Sequence, residues 1–82
     1  MKQTVHFVVC VANEDYPVSL ELHKIYRVLP DAYAAADGDL RIIDESGEDY
    51  LYPADYFLPL DVKEGTEKVL RESFARWETA VS

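Results

Sequence analysis

The stretch DLRIIDESGEDYLYP, residues 39–53, sets the tightest limit on the fold: two β-prone runs separated by Ser46-Gly47 and stopped at Pro53. Runs of branched and aromatic residues bounded by turn formers favour strands, and a glycine between them lets two strands pair closely. A hairpin is therefore expected, with strands at 40–44 and 48–52. A two-residue Ser46-Gly47 turn sets Glu45 opposite Glu48 and Asp44 opposite Asp49, where like charges repel.

The rest of the first sixty residues is cut just as short. TVHFVVCVA, residues 4–12, has apolar side chains on both faces, Val5, Phe7, Val9 and Val11 on one and Val8 and Cys10 on the other, as a central strand requires. NEDYPVS breaks it with turn formers. LELHKIYRVL continues as a second strand until Pro30, which has no ladder donor. PDAYAAADGD leaves only about six residues between breakers, enough for one helical turn or a loop. ADYFLPL reads as a tight turn at Ala54-Asp55 and a last short strand.

After Asp61 the period changes. Leu70, Phe74, Trp77 and Val81 fall on one stripe of a helix expected from about Thr66 to about Thr79, with Thr66 or Asp61 as its cap. Glu67 with Arg71, and Glu72 with Arg76, stand four apart in the favourable order. The fold class expected is mainly β, a small five-stranded closed barrel with a C-terminal α-helix. Residues 1–62 form the barrel and 63–82 the helix, one domain overall.

Eighty-two residues leave no room for a second domain, and 49% hydrophobic composition with ten aromatic residues is too apolar for a disordered chain. Sixteen acids against eight Lys and Arg give a net charge of −8, the wrong sign for phosphate contacts. Nucleic acid and anionic membranes are poor partners on this ground. Cys10 is the lone cysteine, so no internal disulfide forms. The start MKQTVHFVVCVA lacks an export cleavage site, Val9 stands where a lipoprotein signal needs a small residue, and no run reaches the ~20 apolar residues of a span. A cytoplasmic location is expected.

The stretch GDLRIIDESGEDYLYPADYFLPL, residues 38–60, resembles the closing half of a Src-homology-3 (SH3) domain, with Gly47, Pro53, Asp55 and Tyr56 in its pattern. The blocks LELHKIYRVLPD and IDESGEDYLYPADYF are also similar to a group of small bacterial proteins believed to share such an SH3-like barrel without an assigned activity. The resemblance covers roughly residues 5–60 and implies an SH3-like barrel fold. SH3 domains hold polyproline segments in an aromatic groove. Of those groove positions Pro53 and Tyr56 remain, while Cys10 and Ala12 stand for the paired tyrosines and Asp39 or Leu40 for the tryptophan. Polyproline binding by that mode is not expected.

No residue set points to catalysis. Calcium loops alternate acids around a fixed glycine; with Gly38 or Gly47 in that place the first ligand falls on Tyr33 or Ile42, which cannot coordinate. His6 and His23 have no partner at metal spacing, and an apolar strand raises rather than lowers the pKa of Cys10. No cofactor, metal site or enzymatic activity is expected. The candidate partner-binding residues are Tyr50, Tyr52, Pro53 and Tyr56 with the acidic hairpin Asp44, Glu45, Glu48 and Asp49. If Leu51 points inward, Tyr50 and Tyr52 stand together on the other face; alternatively they cover the barrel end or lie beneath the helix. The helix stripe packs on its own barrel, or pairs two copies through Leu70, Phe74 and Trp77. The leading function is a protein-interaction or regulatory accessory module with a protein partner. The alternatives are a small-barrel nucleic-acid binder and a cation-dependent role for the acidic hairpin.

Overall fold

The computed structural model describes residues 6–81, and the side chains of 6–76. The order is β1 (Phe7–Cys10), β2 (Ile25–Leu29), α1 (Ala32–Ala36), β3 (Asp39–Ile43), β4 (Asp49–Pro53), a 3-10 turn (Ala54–Tyr56), β5 (Phe57–Pro59) and α2 (Glu64–Val81). All five strands join one antiparallel sheet in the order β4-β3-β2-β1-β5. The chain is mainly β with a C-terminal helix, as expected.

The sheet is not closed into a barrel: β4 and β5 remain its two edges. Side chains nevertheless meet between these edges, with the Tyr52 and Phe57 rings 6.4 Å apart in an edge-on arrangement. β5 is only three residues long, and each edge strand ends at a proline, Pro53 or Pro59, which offers no backbone donor. These prolines also blunt the edges against pairing with another chain.

Strand alternation divides the side chains into two layers. Val8, Cys10, Tyr26, Val28, Ile42, Tyr52 and Phe57 fill one face together with Leu20. Phe7 points to the other face, only 1% exposed, and its ring lies 5.3 Å from that of Phe74 on α2. Burying a side chain of this size contributes about 1.5–3 kcal/mol, so α2 has a place in folding as well as in shape. Phe74 thus packs on its own sheet. Trp77 and Val81, the other end of the stripe, lie outside the described side chains.

Three expectations are corrected. Leu20 to Lys24 is not strand: His23 takes a left-handed φ of 65°, its N–H donates to Cys10 O at 2.7 Å, and Leu20 reaches the core from the loop. Helix α2 begins at Glu64, which places Lys63, rather than Thr66 or Asp61, immediately before it. The hairpin turn has three residues, not two. Gly47 N donates to Asp44 O, Gly47 has φ +84°, and Ile43 rather than Asp44 is paired with Asp49. A type I turn closed by a left-handed glycine gives this geometry, and Glu45 therefore does not face Glu48. Between Pro30 and Gly38, where the sequence allows a helical turn or a loop, the chain forms the short helix α1, capped by Asp31, whose carboxylate accepts from Ala34 N at 3.0 Å.

Candidate functional site

The shifted hairpin register decides what its carboxylates do. Asp44 falls on the core face after Ile42 and is 5% exposed. One of its oxygens accepts from Ser46 N at 2.9 Å and from Ser46 Oγ at 2.5 Å, and the other from the Tyr52 hydroxyl at 2.5 Å. Glu45 is held from the sheet side, where Lys24 Nζ donates to both its oxygens at 2.9 and 2.7 Å and the Tyr26 hydroxyl donates to one. Asp49 Oδ2 accepts from Arg41 Nη1 at 2.8 Å, and Arg41 Nε donates to the Asp31 cap at 2.8 Å. Only Glu48 points its charge to solvent without a hydrogen bond or ion pair among the described residues. The like-charge repulsion expected here is resolved by lysine, arginine and phenol donors of the chain itself.

Ionisation follows from these contacts. Burial opposes ionisation of Glu45, yet Lys24 and Tyr26 outweigh it and hold the carboxyl below its usual range. The Ala34 amide, then Arg41, lowers Asp31. Burial followed by the Asp44 carboxylate pushes the Tyr52 phenol up to about 12. Burial, reinforced by Glu45, raises Tyr26 as well.

The tyrosines separate differently from the expectation. Leu51 points away from the core, 45% exposed, so Tyr50 and Tyr52 share the core face of β4. Tyr52 is 3% exposed and has no surface to offer, while Tyr50, nearer the hairpin, remains 53% exposed. Tyr56, carried by the 3-10 turn after Pro53, is half-buried, and its hydroxyl donates to Asp15 Oδ2 at 2.7 Å. This contact with Asp15, followed by desolvation, raises the phenol to about 12.

The loop between β1 and β2 supplies the residue that pattern reading passed over. Tyr16 sets its ring edge-on to Tyr52, centroids 4.9 Å apart, and 6.1 Å from Tyr56, while staying 40% exposed. Its position in NEDYPVS carries no periodicity, and the only available signal was an aromatic residue amid turn formers. Tyr16 N donates to Asn13 O at 2.9 Å, Leu20 N to Tyr16 O at 3.0 Å, and Asn13 Nδ2 to Leu20 O at 2.9 Å. Glu45 N also donates to Ser19 O at 3.1 Å, and Glu21 N to the Tyr26 hydroxyl at 2.8 Å. The loop is thereby fixed to the hairpin and to β2.

Cys10 and His6 each have a partner within the chain. Cys10 is fully buried, its thiol donates to Ala12 O at 3.3 Å, and burial raises its pKa. His6 Nδ1 contacts a Glu67 carboxylate oxygen, and Arg71 Nε lies 3.8 Å from the same oxygen. Among the described residues no group of three His, Cys, Asp or Glu could hold a metal ion, and no helix is long and apolar enough to cross a membrane. No family model, curated protein or solved structure matches the chain.

Proposed function

We propose that the protein is a small, non-enzymatic interaction module of SH3-like architecture, working as an accessory to a protein partner in the cytoplasm. What supports the architecture is the strand order β4-β3-β2-β1-β5, the long tethered loop between β1 and β2, and the 3-10 turn placed between β4 and β5. The observation that carries the function is the tyrosine surface, in which Tyr16 leans against Tyr52 and Tyr56 with one side still open to solvent.

Tyrosine suits this use because a rigid ring contributes large contact area at small entropic cost. The contact surface therefore centres on Tyr16, Tyr56 and Tyr50, with Pro53 leading into the turn that positions Tyr56. Tyr52 and Asp44 support it from within. Capture of partners from cell extract by the wild type and by Tyr16→Ala tests the reading, with urea unfolding to establish that the variant is folded. Loss of a specific partner from the folded variant is the expected result. The same partners held equally by both proteins would reject this surface.

A further inference from the structure

On the hairpin side of the same loop lies a second surface, a shallow open depression of about 450 Å³ bordered by Pro17, Val18, Leu20, Glu21, Leu22 and Glu45. Leu20 forms its fully buried floor, whereas Val18 is 90% and Leu22 44% exposed. The loop backbone is tied down through Asn13, Tyr16, Ser19 and Glu21, so Val18 is displayed on a fixed support. No fold requirement accounts for a valine there, since its side chain covers almost nothing.

Charge identifies the occupant. Of the sixteen acids, twelve lie in residues 6–62, where Lys24, Arg27 and Arg41 are the basic residues. Lys24 is spent on Glu45, and Arg41 on Asp31 and Asp49. Glu21 at the rim and the neighbouring Glu14 carry exposed charge, and a second copy of this sheet would bring more of the same sign. We infer that the depression takes a short cationic peptide segment of a partner protein, one apolar side chain entering between Val18 and Leu22 with lysine or arginine beside Glu21, the rim carboxylate not engaged by Lys24. This surface shares the loop of Tyr16 but is not lined by the Tyr16 ring.

The test uses an acetylated, amidated nine-residue peptide with a central leucine flanked by lysines and glycines, titrated by calorimetry and followed by amide chemical shifts. Glycine in place of the leucine, and glutamates in place of the lysines, give the two control peptides. Perturbations confined to residues 17–22 and 45 are expected, and binding about tenfold weaker for Val18→Ser, for Glu21→Gln and for each control peptide. Val18 is so exposed that its replacement leaves the fold intact. Equal binding by Val18→Ser and wild type, equal binding of the leucine-free peptide, or shifts centred on Tyr16 and Tyr56 would each overturn the inference. Tyr16→Ala keeps peptide binding if the two surfaces are separate, whatever becomes of the partner captured through Tyr16.

Discussion

The Tyr52 hydroxyl donates to the buried Asp44 carboxylate at 2.5 Å, joining the core side of β4 to the residue that precedes the hairpin turn. Asp44 also organises that turn through Ser46, so one side chain sets the loop and satisfies the phenol. Removing either partner leaves a buried polar group short of a hydrogen bond. Tyr52→Phe should lower stability by about 1–2 kcal/mol and Asp44→Ala by about 2–3 kcal/mol in urea unfolding. The double variant should cost less than the two single losses together, with a coupling of at least about 0.5 kcal/mol. Strict additivity would show that the pair does not act as one unit.

The raised phenols make the fold sensitive to alkali. A group whose proton is held more tightly in the folded state contributes stability that is fully present below its unfolded pKa, about 10 for tyrosine, and is lost as pH rises through the folded value. For Tyr52 and Tyr56, both up to about 12, the window runs from roughly pH 10 to 12. Urea midpoints should hold up to about pH 9.5 and then fall, with Tyr52→Phe falling less steeply than wild type. Identical slopes for the two proteins would remove Tyr52 from the effect.

Glu45 and Asp31 work in the opposite sense at the acid end. Their folded pKa values lie below the ordinary carboxylate range, so their contribution is present above the unfolded values near 4 and disappears as pH falls through the folded ones. Lys24→Met removes the ammonium that keeps Glu45 ionised. Its carboxyl should then titrate at higher pH in NMR, and the acid transition of the variant should begin earlier. An unmoved Glu45 titration would mean that Tyr26 alone holds it.

Much of this architecture was legible from local pattern, and the failures have physical causes. β1, the α1 turn, the hairpin and the amphipathic α2 each rest on near-neighbour chemistry: branched runs, the breakers Pro30 and Gly38, Gly47, and apolar side chains at helical spacing. Hairpin register is different, because one residue more in the turn reverses which side chain faces which. That single step made Leu51, rather than the flanking tyrosines, the outward residue, whereas Asp44 is inside because it follows Ile42 by two. The roles of Glu45 and Asp49 were hidden for another reason. Their donors, Lys24 and Arg41, are brought to them by sheet pairing, which no local run of residues encodes. Tyr16 was hidden because loop residues obey no period.

The three glycines should respond with different signs. Gly47 sits at φ +84° with nothing within 4 Å of where a Cβ would stand, so Gly47→Ala costs about 1 kcal/mol through backbone strain alone. Gly38, at φ +79° and equally uncrowded, should behave alike. Gly65 lies in the first turn of α2 at no such φ and is also uncrowded, and Gly65→Ala should stabilise by up to about 1 kcal/mol. Thermal midpoints of the three variants check this ordering. A destabilised Gly65→Ala would contradict the helical start at Glu64.

The Phe7–Phe74 contact determines whether α2 behaves as part of the folded unit. Phe7 is 1% exposed on the face of β1 opposite the main core, and its ring lies 5.3 Å from Phe74. His6, immediately before β1, with Glu67, two helical turns earlier in α2 than Phe74, adds a polar contact at the helix's opening turns. Phe74→Ala removes most of the apolar anchor and should cost about 2–3 kcal/mol, less than a fully buried phenylalanine because Phe74 is only half-buried. Phe74→Leu keeps volume and should cost under about 1.5 kcal/mol. Hydrogen exchange distinguishes loss of docking from general unfolding: in Phe74→Ala the amides of α2 should exchange faster while β1, β2 and β3 stay protected. If strands and helix lose protection together, α2 and the sheet unfold as one cooperative unit. If α2 keeps its protection, its hold on the sheet does not depend on Phe74.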